Sequence, residues 1–296
     1  MIRRLDVVVA LSLAVATPPA ARGQVPLHSA HHASQDSGAA VGEFVRQART
    51  GTERYKDQSV AVEDGYRRLG PDFPAMGEHW ANPELVAKGA LDAARPGLLT
   101  YARVNGVATL TGVVYAIPLA DGELPPASPF DPSHWHDHLG TVDEESLLLD
   151  HDARQSPSSG LRLAVLHLWV WVDNPAGRSV TDNWALPFAR LGLVAPASAP
   201  VGAARALSLL SGSVRYYARL AHAAGAPSDE EHERIGAALE RGGEHMRAWW
   251  TSRGSSASLA ASELASLDEA WIGIWREIER NVAPDVARRL RAVWQP

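Results

Sequence analysis

The spacing of apolar residues divides the chain into a mixed leading part, a β-rich middle and a helical last third. From Val41 to about Leu69, Phe44, Val45, Tyr55, Val60, Val62 and Tyr66 recur at helical intervals. This pattern predicts helix with Gly70-Pro71 as its stop and Gly51 as a point of interruption. A second short helix is expected from Asn82-Pro83 through ELVAKGAL, because proline suits a first helical turn. The run LLTYARVNGVATLTGVVYAI then predicts strands at 98–104 and 107–117 around Asn105-Gly106, a dipeptide that supplies the positive φ angles of a two-residue hairpin turn. Residues 161–172, LRLAVLHLWVWV, are apolar at both alternating sets of positions, which predicts a central strand of a sheet covered on both sides.

Beyond residue 200 the rhythm changes. Leu207, Leu210, Val214, Tyr217 and Ala221 alternate spacings of three and four, as do Ile235, Leu239, Gly242, Met246 and Trp249, and again Leu264, Leu267, Trp271, Ile274 and Ile278. Three amphipathic helices are expected. Ser228 and Glu231 have the spacing of a capping box at the start of the second, and Pro284 opens a short fourth. The predicted class is α+β: an antiparallel or mixed sheet with helices packed on it across 41–195, then a C-terminal helical bundle across 201–296.

The ends and the charge add an address. Arg3 and Arg4 precede an apolar run from Val7 to Ala16, followed by prolines and the small residues of Ala21-Arg22-Gly23, the layout of a secretory signal peptide over residues 1–23. That run falls short of the about 20 residues a bilayer span needs, so an exported protein, periplasmic or extracellular, with no stable membrane span is expected. Residues 24–40, rich in small polar side chains, read as a flexible tail. Loss of residues 1–23 removes three arginines and one aspartate and moves the formal charge from −6 to −8. A negative chain without a basic block argues against nucleic acid as a partner. The chain has no cysteine, which excludes disulfides, thiolate metal sites and a cysteine nucleophile.

Candidate chemistry therefore rests on histidine and carboxylates. His167 lies mid-strand among Leu163, Val165, Trp169 and Trp171, where a buried imidazole requires a partner: a carboxylate, a carbonyl or a metal. His79 lies in FPAMGEHWANPEL, where neither helical nor strand periodicity accounts for it and a loop is expected. HWHDH, if extended, would put His134, His136 and His138 on one face and Trp135 with Asp137 on the other. His79, His136, His138 and His167 are accordingly the candidate ligands of a divalent transition metal, zinc, copper or iron. A metal-dependent hydrolase would draw its general base from Glu78 or Glu144. Asp143, Glu144 and Glu145 equally suit the first turn of a short helix. The alternative is a metal-free pocket for a small apolar ligand or haem, walled by Trp80, Trp135, Trp169, Trp171 and Trp184. No G-x-S-x-G, GxxxxGK[ST], C-x-x-C-H or HExxH pattern occurs.

Three runs together, YKDQSVAVEDGYRRLGPDFPAMGEHWANPEL, RPGLLTYARVNGVATLTGVVYAIPL and LAVLHLWVWVDNPAGRSVTDNWALPF, resemble a family of exported bacterial proteins of unknown function. That family carries an M-G-x-H-aromatic-x-N-P segment, a following hairpin and a late L-H-x-W-x-W strand with N-P-x-G after it. The resemblance covers roughly residues 50–193. It implies an α+β domain in which the two recurrent histidines correspond to His79 and His167. HWHDH and the helical last third lie outside that pattern.

Overall fold

A computed structural model of the chain describes residues 38–120, 122–139, 162–198, 200–225 and 228–294. The expected leader at 1–23, nearly all of the expected tail, Asp143, Glu144, Glu145 and His151 lie outside the described residues.

The first helix, α1 (Ala39–Thr52), buries Val41, Val45, Ala48 and Thr52, a stripe spaced by four, three and four residues. The helix expected to run to Leu69 is shorter than that. A 3-10 turn (Glu53–Lys56) follows α1, then α2 (Gln58–Glu63), which starts where the Asp57 carboxylate accepts from Ser59 N. Gly65, with φ of +93°, turns the chain away, and Tyr66 N donates to Ala61 O. The next residues, Arg67–Phe73, form strand β1 rather than helix. Their hydrogen bonds go to strand β2 (Gly77–Ala81), with Gly70 and Pro71 inside an irregularity between Leu69 and Asp72. Gly70-Pro71 therefore bends a strand; it does not stop a helix.

A second correction concerns MGEHW, which is strand β2 and not a loop. The turn into it requires Gly77: φ is +90°, and a Cβ there would sit 2.3 Å from the carbonyl oxygen of Tyr101. Asn82 then caps α3 (Pro83–Lys88), its side chain accepting from Glu84 N and Leu85 N, with Pro83 in the first turn as expected.

The hairpin of β3 (Leu98–Val104) and β4 (Val107–Leu119) turns at Asn105 and Gly106, with φ of 49° and 79°. These are the positive angles that the dipeptide predicts. Strand β5 (His136–Leu139) and strand β6 (Arg162–Trp169) complete a six-stranded antiparallel sheet in the order β1-β2-β3-β4-β6-β5. One face carries Leu99, Tyr101, Val113, Tyr115, Leu166 and Leu168 and packs against α1 and the segment after it. The other carries Leu98, Val114, Ala116 and Val165.

After the sheet come α4 (Leu186–Arg190), α5 (Val201–Ser208), α6 (Val214–Gly225), α7 (Asp229–Ser252), α8 (Ala261–Asn281) and α9 (Pro284–Trp294). The single helix expected through Leu207 and Ala221 is broken by a 3-10 turn (Leu209–Ser211) and by Gly212 at φ of +90°, so its apolar rhythm continues across two separate helices. The capping box of Ser228 and Glu231 opens α7, and Pro284 opens α9, as predicted. The helices enclose Leu207, Leu239, Trp271 and Ile278 in a core that also takes Phe73 from β1, Met76 from the β1–β2 turn and Phe188 from α4. Sheet and helices thus share apolar contacts, the organisation of an α+β fold. Among the described residues no helix is long and apolar enough to cross a membrane.

Candidate functional site

Strand register places the histidines. His79 on β2 pairs with Thr100 on β3, and His167 on β6 pairs with Val114 on β4. On β5, His136 and His138 pair with Val165 and Leu163 of β6. Alternation therefore puts His79, His136, His138 and His167 on the face of Leu98, Val114 and Val165. The rings form a continuous row: His138 to His136 at 5.1 Å between centroids, His136 to His167 at 5.4 Å, and His167 to His79 at 5.4 Å. The His136 and His167 rings are close to parallel, at 20°, while the other two contacts are edge-on. His79, His138 and His167 are 6%, 7% and 4% exposed, and His136 is half-buried.

The row continues beyond the histidines. Phe73 lies 5.3 Å from His79, edge-on, and 5.6 Å from Tyr216 of α6. Tyr216 in turn meets Tyr217, and Tyr217 meets Trp271 of α8, at 5.3 and 5.1 Å. Burial pushes the Tyr216 phenol far above the ordinary tyrosine range, with the charge of Asp182 adding to the effect, so Tyr216 faces the site side as a neutral ring. Phe73 and Tyr216 are the participants that sequence periodicity missed. Phe73 sits six positions before His79, and only the tight β1–β2 turn at Gly77 folds it back onto the histidine.

Other expected members lie apart from the row. His134 is in a 3-10 turn (Pro132–His134) that precedes β5, so HWHDH is not extended throughout. Pro132 starts that turn, Asp131 caps it, and His134 Nδ1 instead lies 2.9 Å from Ser179 Oγ. Glu78, next to His79 on β2, points to the opposite face. There its carboxylate meets Arg68 at 3.2 Å and accepts from Trp80 Nε1 at 3.3 Å. Glu144 lies outside the described residues.

The aromatic walls expected beside the histidines are mostly elsewhere. Trp80, Trp135 and Trp171 pack into the core on the opposite face of the sheet. Trp171 gets there because β6 ends at Trp169; its indole Nε1 donates to Thr52 Oγ1 at 3.2 Å. Trp184 packs near Phe188 in the helical core. Trp169 shares the histidine face, with Nε1 donating to Val180 O at 2.8 Å.

The donor set and its spacing can be tested against a metal. A nitrogen-bound ion sits about 2 Å from each ligating atom, which places two rings on one tetrahedral ion about 5 Å apart between centroids. The three ring contacts of the row, at 5.1 to 5.4 Å, match that spacing. Among the described residues no three His, Asp or Glu side chains are already arranged as a metal-holding group. The fit is therefore one of neighbouring pairs in the row. Comparison with family models, with curated proteins and with solved structures found no match.

Proposed function

We propose that this is an exported protein that binds a divalent transition metal, zinc, copper or iron, through the row of His79, His167, His136 and His138. The observation that carries the reading is the row itself. Four imidazoles from three strands lie in a row on one face of the sheet, each neighbouring pair at the centroid spacing that two rings on one ion would have. A stretch of sheet face built only for packing has little use for four adjacent polar rings, each of which needs a hydrogen-bond or metal partner once buried.

Imidazoles are neutral ligands, so an ion held by them keeps its full positive charge. Copper is the tightest binder to such a nitrogen set, with zinc below it and iron lower again. Bound there, the ion would supply Lewis acidity or, for copper and iron, electron transfer. The chain's own contribution is to orient the rings, with Phe73 packed edge-on against His79 and the sheet register fixing the separations. Glu78 faces away from the row, so hydrolysis would need a base other than Glu78. The apolar or haem pocket is less well supported, because Trp80, Trp135 and Trp171 turn to the other face. Export rests on the leader-like residues 1–23 and on the resemblance over residues 50–193.

Elemental analysis and copper titration of tag-free protein test the reading. About one ion per chain is expected, with loss of binding in His167→Ala and in His136→Ala. Because His167 is buried, His136→Gln provides the gentler companion variant. Metal content well below one per chain, unchanged by either histidine substitution, would overturn the proposal.

A further inference from the structure

The first helices border a second concave surface whose lining contains none of the four histidines. A cavity of about 470 Å³ opens between the end of α1, the α2–β1 turn, α3 and the loop leading to β3. That size is within the range of small-molecule pockets, about 300–1,000 Å³. Its frame is held rigidly. Tyr66 Oη donates to Pro96 O at 2.7 Å, Asn82 Nδ2 donates to Asp64 O at 2.8 Å, and Gly51 lets the backbone at Ala94 approach so closely that a Cβ would lie 2.2 Å from Ala94 O.

The charges in the lining are divided. Arg54 forms an ion pair with Asp64, and both also bond the buried Tyr55 hydroxyl, which accepts from Arg54 and donates to Asp64, each at 2.8 Å. Those two charges neutralise one another. Lys88 and Arg95 are exposed at the lining, and among the described residues neither has a carboxylate within ion-pair distance. Glu84 also lines the cavity, in the first turn of α3, where its charge suits the helix dipole. The lining therefore holds two cations whose charge is not paired among the described residues, against one carboxylate already served by its helix. Leu85 and Tyr55 complete the lining, with the Arg54 guanidinium over the Tyr55 ring at 4.8 Å from its centroid.

We propose that this cavity binds a small organic anion, whose carboxylate or phosphoryl head lies between Lys88 and Arg95 and whose carbon skeleton rests on Leu85 and Tyr55. Two cations on different elements of the lining supply the attraction, and the hydrogen-bonded frame limits the ordering cost of binding. Glu84 opposes a second negative charge and so tunes the affinity.

Isothermal titration calorimetry of the full mature chain with succinate and, separately, inorganic phosphate tests the assignment. At least one probe should bind, with affinity weakened about tenfold or more in both Lys88→Glu and Arg95→Glu. Glu84→Gln should tighten it several-fold. All three side chains are exposed, so the variants leave the fold intact. Binding of succinate alone assigns a carboxylate ligand; binding of phosphate alone assigns a phosphoryl one. Absence of millimolar binding by both probes, or binding insensitive to either charge reversal, overturns the proposal.

Discussion

Replacing Asp72 by alanine should destabilise the protein more than replacing its partner Arg190 by methionine. The two side chains join β1 to α4. Arg190 NH1 and NH2 donate to the two carboxylate oxygens at 2.9 and 2.6 Å, and NH2 also donates to Phe73 O at 3.1 Å. Their environments differ: the Arg190 side chain is 4% exposed and that of Asp72 is 34%. Without Asp72 a buried guanidinium keeps only a carbonyl for a partner. Removing one member of a buried ion pair costs about 3–5 kcal/mol, and water reaching the open Asp72 side lowers that to about 2–3 kcal/mol here. Without Arg190 the carboxylate can hydrate, and methionine fills the space of the arginine stem, so the loss reduces to hydrogen bonds worth about 1–2 kcal/mol. The double variant should cost about as much as Arg190→Met alone, since no charge is then left buried, giving a coupling of about 2–3 kcal/mol, the whole cost of Asp72→Ala. Urea denaturation followed by tryptophan fluorescence measures all three variants at fixed pH and salt. If Arg190→Met cost more than Asp72→Ala, or the coupling vanished, burial of the arginine charge would not be the controlling quantity.

Three further outcomes follow from features already described. Gly77→Ala should cost more than about 3 kcal/mol, since it combines a positive φ with a Cβ 2.3 Å from the Tyr101 carbonyl; a denaturation midpoint close to that of the parent would contradict this. All six tyrosines are held above the ordinary phenol range, with burial the largest cause for each. The unfolded chain therefore loses phenolic protons first, and stability should be insensitive to them below about pH 10 and fall as pH rises beyond it. Phenolate absorbance should consequently lag and then rise in one step with unfolding, whereas a gradual titration of the intact fold would refute the burial argument. Ser228→Ala should lower stability by about 1 kcal/mol through loss of the capping box at α7, with an unchanged midpoint counting against it.

The parts of the fold that could be read from the chain are those whose signal is local. Asn105-Gly106 specifies its turn by backbone sterics alone, and Ser228 with Glu231 caps α7 with two side chains three residues apart. The shared face of His136 and His138 follows from a period of two across three residues. Other features depend on partners far away in the chain. Arg67–Phe73 has apolar spacing compatible with helix, and it becomes a strand because β2 offers backbone groups along its length. β2 itself is five residues long, too short for its alternation to stand out, which is why the sequence around His79 carries the signature of a loop. The destination of the tryptophans depended on register and on where a strand ends. Trp169 is the last residue of β6, so Trp171 crosses to the other face although its spacing puts it beside His167. His134 likewise leaves its expected face because Pro132 begins a tight turn two residues earlier.

The placement of β5 carries a consequence for assembly. Among the described residues this strand is the outermost of the sheet and pairs only with β6, yet it brings two of the four histidines of the row. An ion spanning His136 and His167 would act as a rivet between an edge strand of four residues and the sheet interior, adding its binding energy to a short ladder of hydrogen bonds. Loading with metal and docking of that edge would then be one equilibrium observed from two sides, and the backbone amides of β5 would report it as slowed hydrogen exchange.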